Sequence, residues 1–232
     1  MGLVFVTGGS RGLGREVARN LREQGNDIVL ISRDPQRLAT TAVELDVRHI
    51  AIDLNDVSTA RAGAEQALND FGIPDAVVLA HGVMSDRTAK TLRTNDAEWM
   101  RVMNVNLNSV FTLVNAWGAP MAERRSGRII VFSACLGRMS GPGTSGGLAP
   151  YRISKAGVNA VVKNLAHETG HGSRGFLIDA VCPNHTRTDM GGPDAPRSVE
   201  EGAETAIWLA TRSFAQGDTT GVLWEDRQIV PW

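Results

Sequence analysis

Short apolar runs recur along the chain at Leu3 to Val6, Ile28 to Ile31, His49 to Ile52, Ala76 to Leu79, Arg128 to Phe132 and Leu177 to Val181. Each is followed by a stretch with helical spacing. Runs this apolar suit strands covered on both faces, so the alternation predicts an α/β chain, a mostly parallel, doubly wound sheet with helices on both faces. A last stretch, Gly221 to Trp224, is a candidate edge strand. Some helix ends are written locally. Gly25 can stop the first helix at Gln24, and Asp34 followed by Pro35 makes an N-cap and first-turn pair for the second. Two loops rich in glycine and proline, Ser140 to Gly147 and Gly191 to Pro196, follow strands, where ligands of such sheets bind.

Composition narrows the picture. With 232 residues, 42% of them hydrophobic, the expectation is one domain over 1–232 with a filled core. A formal net charge of -1 from 24 basic and 25 acidic residues leaves no basic stripe to neutralise phosphates, so nucleic acid is not an expected partner. Cys135 and Cys182 each sit beside apolar strand-like residues and read as buried reduced thiols, which fits a cytoplasmic protein. The first apolar run has no basic leader, and none reaches the roughly 18 residues of a membrane helix. Val6 stands where a myristoylation signal after Met1-Gly2 wants Ser or Thr.

The first strand runs into Thr7-Gly8-Gly9-Ser10-Arg11-Gly12-Leu13-Gly14 and then a helical stretch from Arg15 to Gln24. Gly8 lets the chain turn off the strand, Gly12 lets the backbone approach a pyrophosphate, and Gly14 lets the helix pack near the sheet. The helix N-terminus then faces the anion. An NAD-binding chain places an acid for the ribose 2′-hydroxyl about 20 residues further on. Here the second strand ends in Ser32-Arg33, and the nearby Asp34 is better explained as a helix cap. Arg33 with Arg11 can bracket a 2′-phosphate instead, so the cofactor expected is NADP(H).

Tyr151-Arg152-Ile153-Ser154-Lys155 opens another helical stretch, with Tyr151, the only tyrosine in the chain, four residues before Lys155 on the same face. A phenol is a poor acid-base group at neutral pH, and a neighbouring ammonium stabilises its anion.

The motifs TGGSRGLG, Tyr151 with Lys155, and Pro183 to Thr188 resemble the short-chain dehydrogenase/reductase family over essentially the whole chain, and the closing segment looks like a carbonyl-reductase-like bacterial subgroup. The resemblance implies a Rossmann-type fold and an NADP(H)-dependent oxidoreductase interconverting a ketone and a secondary alcohol. It makes Tyr151 the general acid or base. Lys155 then tunes Tyr151 and holds the nicotinamide ribose, and Asn106 holds a proton-relay water. Besides Tyr151 and Lys155, the implied cofactor set is Gly8, Ser10, Arg11, Gly12, Leu13, Gly14, Ser32, Arg33, the adenine-contacting Asp53 and Leu54, Ala80, Gly82, Pro183, Thr186 and Thr188. It also implies a substrate loop at about 184–198, a small-molecule carbonyl or alcohol substrate, and a homodimer or homotetramer through the helices around Trp99 to Ala119 and Tyr151 to His167. The apolar positions Val158, Val161, Val162 and Leu165 could equally pack within one subunit.

Three departures bear on function. GRIIVFSACLG from Gly127 to Gly137 puts Ala134 where the family has its catalytic serine. Ser133 should face away because successive strand side chains alternate, which leaves Tyr151 alone, or a group from Ser140 to Ser145, or His185. Leu79-Ala80-His81-Gly82 replaces the usual Asn-Asn-Ala-Gly, with His81 either a packed, hydrogen-bonded residue or a polar group facing the pocket. Asn184 replaces a glycine after Pro183 and tolerates a similar turn. The alternative to redox turnover is an NADP-binding protein with a lyase, isomerase or regulatory role. His167-Glu168-Thr169-Gly170-His171 fits the HExxH zinc pattern, yet Gly170 ends the helix and no third ligand is evident, so no metal is expected.

Overall fold

The computed structural model describes residues 2–215 and 218–232. The strands are β1 (Leu3–Thr7), β2 (Asp27–Ser32), β3 (Arg48–Ala51), β4 (Ala76–Leu79), β5 (Gly127–Phe132), β6 (Phe176–Val181), β7 (Leu223–Glu225) and β8 (Gln228–Val230). They form one sheet in the order β3-β2-β1-β4-β5-β6-β7-β8, parallel except for β8. The chain therefore winds outward from β1 to β3 and then returns to place β4 beside β1. That reversal parts the loops leaving the carboxyl ends of β1 and β4 and opens the crevice where such sheets bind ligands.

Alternation along each strand feeds two cores. Phe5, Val29, Val77, Ile129 and Ile178 face one side, and Val4, Val6, Leu30, Val78 and Ile130 face the other. The first side is covered by α3 (Val57–Phe71), α5 (Ser109–Glu123) and α6 (Ala149–Glu168). The second is covered by α1 (Gly12–Glu23), α2 (Pro35–Leu45) and α7 (Val199–Thr211). The remaining helix, α4 (Asp96–Met103), runs into a π-helical turn at Asn104–Asn108 before α5. Asp34 caps α2, accepting from the backbone N–H of Gln36 and Arg37 at 3.1 Å each, and Gly25 follows the end of α1 with φ +86°. No helix of the described residues is long and apolar enough to cross a membrane.

Two sequence expectations are refined. The candidate edge strand is β7, and β8 folds back on it through Asp226 and Arg227, both at positive φ. Val158 and Val162 are fully buried in the core of their own chain, so they are not free to meet a second copy. The large apolar side chains left exposed on α4, α5 and α6 are Met100, Phe111 and Ile153.

His81 fastens the centre of this fold. Its Nδ1 lies 2.6 Å from Thr7 Oγ1 at the end of β1, and its Nε2 lies 2.8 Å from Ser109 Oγ at the start of α5. Ser109 Oγ also donates to the Val105 carbonyl at 2.7 Å, so it accepts from His81 Nε2–H, and Nδ1 accepts from Thr7. The imidazole is thus the packed, hydrogen-bonded residue of the two readings. Burial, reinforced by the charge on Lys155, pushes it down to about 3.

This depressed value makes stability pH-dependent. The unfolded chain takes up a proton near pH 6.5 that folded His81 refuses, so the contribution is complete above 6.5 and is lost as the pH falls toward about 3. The difference in unfolding free energy between wild type and His81→Asn should therefore shrink on acidification, approaching roughly 1.4 kcal/mol per pH unit in that window. Urea titrations from neutral pH downward check this; a pH-independent difference contradicts a neutral buried imidazole.

Candidate active site

The carboxyl ends of β1, β2, β4, β5 and β6 bring most of the sequence-predicted residues to one edge of the sheet. At the end of β1 the chain turns so tightly that a Cβ on Gly14 would stand 2.4 Å from the Gly8 carbonyl oxygen, closer than any side chain permits. The α1 helix therefore starts pressed against the turn. Arg11 occupies its N-cap without a side-chain cap, so no capping side chain satisfies the N–H groups of the first turn. Gly12 stands at φ +52°, where Leu13 follows it into the helix.

The surroundings of this loop suit a phosphorylated ligand. Ser10 Oγ lies 3.0 Å from Ser32 Oγ, and Thr41 of α2 holds the Ser10 carbonyl at 3.2 Å. Arg33 is exposed and has no hydrogen bond or ion pair among the described residues. Arg11 reaches across to Asp189 in the loop after β6 at 2.5 Å, but both side chains are mostly exposed, 61% and 73%. An exposed pair of this kind is worth about 1 kcal/mol or less, so it does not tie up the guanidinium. Thr188 packs its methyl group against Gly12, and Thr186 is buried beneath with its hydroxyl on the Pro183 carbonyl at 3.0 Å. Asn184 has φ +59°, the turn expected of it. Asp53 is exposed and accepts from Asn55 N–H at 3.0 Å, while Leu54 is buried in the core.

Tyr151 and Lys155 lie one turn apart near the start of α6, both buried. Their relation differs from the expectation. The Lys155 ammonium lies 5.9 Å from the Tyr151 ring centroid and donates to the Phe132 carbonyl at 2.7 Å. Burial brings Lys155 down to about 8. Burial also raises Tyr151, helped by the neighbouring thiols of Cys182 and Cys135. Desolvation thus keeps the phenol protonated at neutral pH. Among the described residues nothing hydrogen-bonds its hydroxyl.

Asn106 sits in the π-helical turn, fully buried. Its Oδ1 accepts from Val83 N–H at 2.8 Å, and its Nδ2 donates to the Val83 carbonyl at 2.9 Å and to Ser154 Oγ at 3.1 Å. Ser154 in turn donates to the Tyr151 carbonyl at 2.7 Å. The Asn106 side chain is therefore spent on bracing. Val83 and Ser154 were missed from sequence; the only signal was Ser154 standing three residues after Tyr151. Gly82 lies over this brace: a Cβ there would be 3.4 Å from Asn106 Oδ1 and 3.6 Å from Lys155 Nζ, filling the space beside Ala80. Open backbone above Lys155, uncapped amides on α1 and the unpaired Arg33 together fit a dinucleotide with a phosphorylated ribose.

Ser133, Ser140 and His185, candidates for the missing serine hydroxyl, are engaged elsewhere. Ser133 turns into α6 and bonds Asn159 and the Lys155 carbonyl, as strand alternation required. Ser140 donates to the Trp232 carbonyl at 3.1 Å, and His185 Nε2 lies 2.7 Å from the Gly191 carbonyl of its own loop. In the HExxH segment His167 Nδ1 lies 3.4 Å from His171 Nε2. The α6 helix ends at Glu168, leaving His171 outside it at φ +49°, and Glu168 accepts from Asn164. Among the described residues no three His, Cys, Asp or Glu side chains cluster as metal ligands.

Known proteins carry the same pattern. The family model for short chain dehydrogenases matches residues 2–198. The 3-oxoacyl-[acyl-carrier-protein] reductase FabG of Escherichia coli (strain K12) is 30% identical over 190 residues, 81% of this chain and 75% of that protein. Among solved structures, a protein described as ribose-5-phosphate isomerase from Brucella melitensis 16M has a TM-score of 0.84 at 27% identity, covering 97% of this chain and 90% of that one. A blue fluorescent protein from a metagenomic library, solved in complex with NADPH, has a TM-score of 0.83 at 26% identity, covering 96% and 95%. Neighbours described by such different activities show that shape alone does not choose the reaction, whereas the family match extends over most of the sequence. The chain belongs to the short-chain dehydrogenase family and is an oxidoreductase that works with a nicotinamide cofactor on a carbonyl or alcohol carbon.

Proposed function

We propose that residues 1–232 form one dinucleotide-binding catalytic domain that reduces a ketone with NADPH, or runs the reverse oxidation, with Tyr151 as the group that moves the proton. The observation that carries this reading is Tyr151, a buried residue whose hydroxyl has no hydrogen-bond partner among the described residues, one helical turn from Lys155. A neutral phenol suits the reductive direction, in which the substrate oxygen must gain a proton. The glycine loop with the first turn of α1 would hold the pyrophosphate, Ser10, Ser32 and Arg33 the 2′-phosphate, and Lys155 the nicotinamide ribose. Bound there, NADPH supplies the hydride. Tyr151 Oη gives its proton to the substrate oxygen, and Lys155 favours the phenolate left behind. Asn106 and Ser154 are positioning residues that fix the first turn of α6.

Ala134 sets the expected efficiency. Losing one donor to a developing oxyanion costs about 100- to 1,000-fold, so Tyr151 carries the oxygen with less help than a serine would give. The same alanine favours a second reading, an NADP-binding protein with a non-redox or regulatory role. The exposed Met139 and Met190 beside the Asn184 to Ser198 loop support a partly apolar substrate. Exposed Met100, Phe111 and Ile153 support a homodimer or homotetramer, and the two free thiols suit the cytoplasm.

NADPH oxidation across a panel of ketones and diketones tests the assignment. Wild type should turn over at least one of them, Tyr151→Phe should lose about 100-fold or more, and Ala134→Ser should gain up to about 100-fold. Tight NADPH binding without turnover in wild type and Ala134→Ser alike would favour the second reading. Arg33→Ala should cut the preference for NADPH over NADH in binding titrations by about tenfold, the effect of losing one charge-assisted contact; an unchanged ratio removes Arg33 from the cofactor site.

A further inference from the structure

Two thiols meet beside Tyr151, and none of the chemistry above uses them. Phe132 pairs with Val181 at the ends of β5 and β6, and Ser133 N–H extends the ladder to the Val181 carbonyl at 2.8 Å. Beyond it the chain turns at Cys135–Gly137, and Cys135 N–H donates to Cys182 Sγ at 3.0 Å. The contact brings Cys182 Sγ against the backbone of Cys135 itself, which places the two side chains side by side.

The two thiols are not equivalent. Cys182 is buried at 2% exposure, and Cys135 is half-buried. Cys182 Sγ accepts from Cys135 N–H and lies 3.9 Å from Asn184 Oδ1, and the pairing of the two sulfurs lowers Cys135 and raises Cys182. Glu225 opposes the Cys135 thiolate and Arg138 favours it, while Tyr151, the other titratable group facing the pair, stays neutral. Cys135 is thus the more accessible sulfur of the pair, and Cys182 is shielded beside it.

We propose that Cys135 and Cys182 are an oxidisable dithiol, Cys135 attacking a hydroperoxide and Cys182 closing an intramolecular disulfide beside Tyr151. In the first step the Cys135 thiolate takes one peroxide oxygen, the O–O bond breaks, hydroxide leaves and the sulfur becomes a sulfenic acid. In the second step Cys182 attacks that sulfur, the S–S bond forms, and the sulfenic oxygen leaves as water with the Cys182 proton.

Mass spectrometry of the full-length protein, treated with hydrogen peroxide under non-reducing conditions, reads this without any turnover, so its outcome is independent of the catalytic reading. Wild type should lose two hydrogens, yield a Cys135–Cys182 cross-linked peptide, and return to its starting mass with dithiothreitol. Cys182→Ser should stop at the sulfenic acid and gain a dimedone adduct on Cys135, whereas Cys135→Ser should give neither product. Circular dichroism checks that both variants fold; if either does not, the wild-type peptide map decides alone. Two free thiols surviving peroxide in wild type, or disulfides only between molecules, would overturn the proposal.

Discussion

The hydroxyl–imidazole–hydroxyl bridge from Thr7 through His81 to Ser109 holds together three elements that the chain builds separately: the strand feeding the glycine loop, the strand beside it, and the helix behind them. Two residues past His81, the Val83 backbone clasps both ends of the Asn106 amide, and Asn106 reaches Ser154, whose hydroxyl holds the Tyr151 carbonyl. The glycine loop and the start of α6 are thus linked by a run of short, buried hydrogen bonds. In a low-dielectric interior a polar network of this kind tolerates little distortion, because any member left unpaired bears the full desolvation cost. A neutral His81 is what allows the link to lie in the core at all.

The same burial sets the electrostatics of the site. It raises the Tyr151 phenol and lowers the Lys155 ammonium, so that the pair does not start as phenolate and ammonium. Lys155 is anchored on the Phe132 carbonyl and Ser133 on Asn159, and neither hydrogen-bonds the Tyr151 hydroxyl. Ala134 contributes no hydrogen-bonding group. Cys135 and Cys182 lie near enough to Tyr151 to add to the effect of burial in raising its phenol.

Much of this was legible in the sequence where the signal is local. The glycine loop, the Asp34–Pro35 cap, the six apolar strand runs and the four-residue spacing of Tyr151 and Lys155 each depend on residues close in sequence. The strand Gln228–Val230 was not legible, because it is short, half polar and exists by pairing with Leu223–Glu225. Nor was the inward face of Val158 and Val162 separable from an oligomer face by helical spacing alone. The Asn106 brace and the Cys135–Cys182 contact join residues 48 and 47 positions apart, and the Tyr151 shift follows from the packing of the whole domain edge, none of which a window of sequence contains.

The central claim is that a hydride and the Tyr151 proton meet at one carbonyl. Its most direct measurement is transfer from NADPH deuterated at the nicotinamide C4, with the product of the best ketone substrate analysed by mass spectrometry and NMR. The account predicts deuterium on the new carbinol carbon in wild type and its loss in Tyr151→Phe despite undiminished NADPH binding. Deuterium transfer of equal rate in both proteins would contradict it.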